Sequence, residues 1–121
     1  MNVTKTIQDL YLDVMVTGLL FVTIAGLMLV SVPQLPSASS HDKLYHGVAF
    51  MALTFPICCF RPSGSVIILS LAALFGAMIE ILQPLVGRHG DIMDFWADVF
   101  GICLGWGLAQ GYRRLSFGAR K

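Results

Sequence analysis

The chain has 121 residues, 56% of them hydrophobic and 12% charged, with a formal net charge of +1. That charged share is about half the share of a soluble domain, which excludes an ordinary water-soluble core, and the lack of a basic stripe excludes a nucleic-acid surface. Four apolar blocks of roughly 17 to 22 residues, each long enough to cross a hydrocarbon core ~30 Å thick, predict one all-α domain over residues 1–121: an integral membrane four-helix bundle.

The leading segment, MNVTKTIQDLYLD, places Val3, Ile7, Leu10 and Val14 at helical spacing and reads as interfacial, with Tyr11 at headgroup level. The first crossing is expected over residues 14–32. It is too long for a cleaved leader, and Asp9 and Asp13 beside a single lysine also argue against one, so it reads as a retained helix. Pro33 and Pro36 end it. The second crossing, residues 44–60, follows Asp42, whose charge suits a helix start. Lys43, His46, Gly47 and Phe50 share one face of it. Pro56 frees the carbonyl of Ala52, so a kink is expected there.

Arg61-Pro62-Ser63-Gly64 is a turn into the third crossing, residues 65–86. Ala72, Ala73, Gly76 and Ala77 form a small-residue patch that permits close helix approach. Glu80 lies one turn beyond Gly76. Pro84 frees the Glu80 carbonyl and should bend the helix there. After a turn over residues 87–91, the fourth crossing, residues 92–112, carries Asp94, Asp98, Gly101 and Gly105 on one stripe. The carboxylates therefore point with the surface that packs tightest, which is inward. The GxxxG spacing of Gly101 and Gly105 also offers a homodimer surface. Cys58, Cys59 and Cys103 lie in apolar blocks without metal-ligand spacing and read as buried, inert thiols.

Lysine and arginine counts set the orientation. Lys5, Arg61, Arg113, Arg114, Arg120 and Lys121 fall on one side, and Lys43 and Arg88 on the other. Both termini are expected to be cytoplasmic. His46, Glu80, Asp94 and Asp98, from three helices, then converge at one depth in the outer half. Charge at that depth is costly and marks a candidate site by default.

These residues carry a resemblance. D-K-x-x-H at Asp42, Lys43 and His46, G-x-x-x-E-x-x-Q at Gly76, Glu80 and Gln83, then Arg88, and D-x-x-x-D-x-x-G at Asp94, Asp98 and Gly101 together resemble the VanZ-like membrane protein family. The chain departs from it at Gly47, where phenylalanine is frequent, and at Asp98, where asparagine is frequent. The family is named for a protein giving resistance to the lipoglycopeptide teicoplanin. The resemblance implies a multi-pass protein of the bacterial cytoplasmic membrane, concerned with the envelope.

The residues themselves leave several uses open. Recognition is the leading one: Lys43, His46, Arg88 and His89 hold an anionic head group, while the carboxylates Glu80, Asp91, Asp94 and Asp98 bond sugar hydroxyls or an amine, with Gln83 also among the binding residues. The ligand is then a lipid-linked envelope precursor or a lipoglycopeptide, with its tail in the bilayer. A membrane-embedded hydrolase or transferase is the alternative, with Glu80, Asp94 and Asp98 as candidate acid and base. No nucleophile stands out. A divalent cation on Glu80, Asp94 and Asp98, with His46 or Asp91, is a further reading. Two minor ones remain. The cluster is a structural clamp in which Arg88 turns back to a carboxylate, or the chain is a small transporter.

Overall fold

A computed structural model describes residues 3–30 and 39–118. Four α-helices follow one another: α1 Val3–Leu29, α2 Ser39–Phe60, α3 Ser65–Leu82 and α4 Ile92–Gly118. Single 3-10 turns, Pro62–Gly64 and Gln83–Val86, precede and follow α3. All four helices are long and apolar enough to cross a membrane, over Ile7–Leu29, His41–Phe60, Ser65–Val86 and Ile92–Ser116. The leading segment belongs to α1 itself, and Pro33 and Pro36 lie outside the described residues.

The arrangement is inverted relative to a soluble bundle. Large apolar side chains such as Leu19, Ile67, Ile81 and Leu85 face outward, while Asp13, His46, Gln83, Asp94 and Asp98 are buried. In lipid this is the favourable sorting, because hydrocarbon solvates leucine and cannot solvate a carboxylate.

The most extensive helix contact joins α2 and α4. Glycine makes it possible. A Cβ on Gly101 would lie 2.1 Å from the Gly47 carbonyl oxygen, and one on Gly105 would lie 2.7 Å from that of Met51. Only glycine lets the two backbones approach that closely, the small-residue mode of membrane helix packing. Asp94, Asp98, Gly101 and Gly105 are all buried, so the predicted stripe does face inward. The surface on which Gly101 and Gly105 would meet a second copy is occupied by α2 of the same chain.

The apolar core joins α1, α2, α3 and α4 through Ile24, Met28, Phe50, Leu53, Phe75, Ile79 and Ile102. Phe75 stacks on Phe21 at a ring separation of 4.1 Å and tilts against Phe50 at 5.6 Å. The α2 helix continues through Pro56 to Phe60. Pro84, by contrast, ends α3. The chain tightens into the 3-10 turn and stops at Gly87, whose φ of 78° lies in the left-handed region that glycine tolerates. The expectation of buried cysteines holds for Cys58 alone; Cys59 is half-buried and Cys103 exposed.

Candidate functional site

The site begins within the α2–α4 contact. His46, four residues before Phe50 on the inward face of α2, meets Asp98 on α4: Nδ1 and Oδ1 share a buried hydrogen bond of 2.8 Å. Glu80 of α3 brings Oε1 to 3.8 Å from the same nitrogen. Gly76, one turn before Glu80, opens the space, since a Cβ there would lie 2.8 Å from Asp98 Oδ2. Three helices thus deliver His46, Glu80 and Asp98 to one point, as their spacing predicted.

The turn after α3 completes this arrangement. The Glu80 carbonyl that Pro84 frees faces Gly90, where a Cβ would sit 2.7 Å from the carbonyl oxygen. The close approach lets the Asp91 amide donate to Glu80 Oε2 at 2.8 Å. Asp91 also caps α4, its Oδ1 accepting the Met93 amide at 2.9 Å. Its other oxygen accepts from the Lys43 ammonium at 3.1 Å. The Met93 amide and then Lys43 hold the Asp91 carboxyl below the usual aspartate range. Lys43 is also 3.4 Å from Asp94 Oδ1. This lysine is part-exposed and stands at the mouth of the cluster; Asp94 lies beneath it, 3% exposed.

Arg88 does not turn back to Glu80, Asp94 or Asp98, as the clamp reading expected. Its guanidinium donates to the carbonyls of Met28 at 2.8 Å and Leu27 at 3.3 Å, and to Asp42 Oδ1 at 3.4 Å. The end of α1 has carbonyls without helical donors, and a planar fork of N–H groups fits them. Gln83 makes the same type of contact, donating to the Met28 carbonyl at 3.4 Å. Arg88 therefore ties α1 and α2 to the turn, and the helix end takes part of its charge.

Among the described residues, five buried polar atoms in this region have no hydrogen-bond partner: His46 Nε2, Glu80 Oε1, Gln83 Oε1, Asp98 Oδ2 and, its ion-pair contact with Lys43 aside, Asp94 Oδ1. Orphaned groups in lipid cost several kcal/mol each, so a cluster of them is not a clamp in the ordinary sense. Two sets could hold a metal ion: His46 with Glu80 and Asp98, and Asp42 with His46 and Asp94. In each set the donor atoms lie within 4.8 Å of one another. His89, included among the expected anion-binding groups, is exposed on the turn.

A second polar centre was missed. Asp13, 4% exposed on α1, accepts from the Arg61 Nε and from the Thr17 hydroxyl at 3.4 Å. A signal for it existed. Asp13 opens the first crossing and Arg61 follows the second, so any two-crossing path returns them to the same end.

The VanZ/LLP1 family model matches residues 4–113, which takes in the first three crossings and most of the fourth. No curated protein and no solved structure matches the chain. With a match over nearly its whole length, the chain belongs to the VanZ/LLP1 family.

Proposed function

We propose that this membrane protein binds the polar head group of a lipid-linked envelope component at His46, Glu80, Gln83, Asp94 and Asp98, with Lys43 and Asp91 at the mouth. The observation that carries this reading is the chemistry of the orphaned atoms. Four of the five are oxygens and one is an imidazole nitrogen. A site dominated by acceptors asks for donors, and sugar hydroxyls and amines supply them. The anionic part of such a ligand belongs outside the carboxylates, at part-exposed Lys43. Arg88 is committed to helix ends and Asp42, so it leaves the expected anion cradle. The same reading sets the protein in the bacterial cytoplasmic membrane, both termini inside and the polar centre in the outer half. The tail of the ligand lies among lipid, and an apolar groove of about 390 Å³ between α1, α2 and α3 offers it a lodging against Phe21, Leu71 and Phe75. The family's link to a drug that resembles such ligands in carrying sugars and a lipid chain agrees with this.

Mass spectrometry of material co-purifying with the gently solubilised protein tests the reading. A lipid-linked glycan or phosphate is expected with the parent and absent from a Glu80→Gln/Asp94→Asn variant. Equal retention by both would overturn it.

One observation favours an enzyme as the second reading. Asp98 holds one ring nitrogen of His46, and the other nitrogen, Nε2, is buried and unpartnered. An oriented imidazole with one free nitrogen is the arrangement of a general base. A mass-shifted product formed by the parent and not by His46→Gln would move the protein into that class.

A further inference from the structure

We propose that His46, Glu80 and Asp98 form a binding site for one divalent cation, a role the ligand reading does not require. Charge is the first argument. Arg88 pairs with Asp42, and Lys43 pairs with Asp91 and Asp94. Among the described residues, Glu80 and Asp98 have no lysine or arginine paired with them; both face His46 instead. Two carboxylates and an imidazole match one doubly charged ion.

Geometry is the second argument. Ligand atoms about 2.1 Å from a common ion lie roughly 3.0 to 4.2 Å from one another, depending on the angle between them. His46 Nδ1 is 3.8 Å from Glu80 Oε1, inside that range, and 2.8 Å from Asp98 Oδ1, just short of it, so the imidazole and Asp98 would part slightly as the ion enters. The ion would take the place of the proton now shared by His46 and Asp98, and the neutral imidazole would then carry that proton on Nε2. Burial supplies the third argument. His46 is 1% exposed and Asp98 0%, and among the described residues Asp98 Oδ2 and Glu80 Oε1 have no hydrogen-bond partner. Asp42 and Asp94 form a second set with His46. One nitrogen among several carboxylate oxygens suits Mn²⁺ or Zn²⁺ better than a soft metal. The Asp91 amide that fixes Glu80 Oε2 leaves Oε1 turned toward the imidazole, the orienting contact that metal ligands ordinarily have.

Mn²⁺ titration of the tag-free, metal-stripped full chain in lipid nanodiscs tests this, read by electron paramagnetic resonance with spin-echo detection of bound nitrogen. The expected result is one saturable Mn²⁺ per chain showing nitrogen modulation. Glu80→Gln should weaken it about 100-fold, and Asp13→Asn, which removes a carboxylate at the opposite end, less than about twofold. Glu80→Gln preserves volume and the bond to the Asp91 amide, and circular dichroism checks its helicity, so a His46→Gln protein that fails to fold leaves the test intact. Three results would overturn the proposal: no saturable uptake, uptake without nitrogen modulation, or equal affinity in Glu80→Gln. None depends on the envelope ligand, so this proposal can fail while the head-group reading stands.

Discussion

Glycine and carboxylate are matched atom for atom in this site. Asp98 Oδ2 occupies the space that a Gly76 side chain would need, so Gly76→Ala should push Asp98 away from His46. Gly101→Ala is harder still, because its Cβ would meet Gly47 backbone on a neighbouring helix. Overpacking of this type costs about 1–3 kcal/mol or more. Gly107 and Gly111 face open space, and alanine there should be neutral or stabilising by up to about 1 kcal/mol. Thermal melting of the four variants in detergent checks the contrast; equal loss in all of them would remove the steric account. Asp91 gives a second test at this scale. Asp91→Ala loses both the α4 cap and the Lys43 pair and should lower the melting temperature, whereas Asp91→Asn keeps the cap and should lower it less. Because the folded Asp91 carboxyl titrates below its ordinary value, its contribution is present at neutral pH. It is lost only as acid brings the pH down through that lowered value. The Asp91→Ala effect should therefore shrink in strong acid, and a melt-versus-pH series reads this directly.

Elements are tied together at both ends of the bundle by arginine, and the two ties differ. Arg61 neutralises a buried carboxylate. Arg61→Ala would leave Asp13 uncompensated inside the bundle. Breaking a fully buried pair costs 3–5 kcal/mol, and the half-exposed guanidinium reduces that here to about 1–3 kcal/mol. Asp13→Asn/Arg61→Ala should recover much of the loss, since no buried charge then remains. A double-mutant cycle on melting measures this, and a double variant no better than Arg61→Ala would contradict it. Arg88 instead serves carbonyls at the end of α1. Arg88→Ala should loosen that end, seen as faster hydrogen exchange near Leu27 and Met28, while leaving the His46–Asp98 contact in place. These ties also mark the limits of the sequence. Helix spacing alone brought His46, Glu80, Asp94 and Asp98 together, because offsets of three and four fix a face and the crossings fix a depth. Spacing does not say where a long side chain goes after a turn. Spacing offered Arg88 to an anionic head group or, in the clamp reading, to the nearest carboxylates, whereas the carbonyls at the end of α1 and Asp42 take it. The Asp13–Arg61 pair escaped for a related reason: each residue had a sufficient local explanation, one as a leader-excluding charge and one as a loop cation. Pro84 was legible as a break, and its consequence, the approach of Gly90 to the freed Glu80 carbonyl, needed the turn itself.

As a whole the molecule resembles an inverted protein, apolar outside, with its largest polar cluster buried at the His46–Glu80–Asp98 point. That point is expensive. Natural proteins retain such cost where function needs it, and removing it commonly raises stability while abolishing activity. A structural clamp behaves oppositely, because its members are satisfied and each deletion destabilises. The melting temperature of Glu80→Gln, taken beside its retention of co-purifying lipid, separates the two most directly. A binding site predicts that the ligand is lost while the ligand-free variant melts at or above the temperature of the ligand-free parent. A variant that melts well below the parent, with ligand retention unchanged, would contradict the account and return the cluster to the role of a clamp.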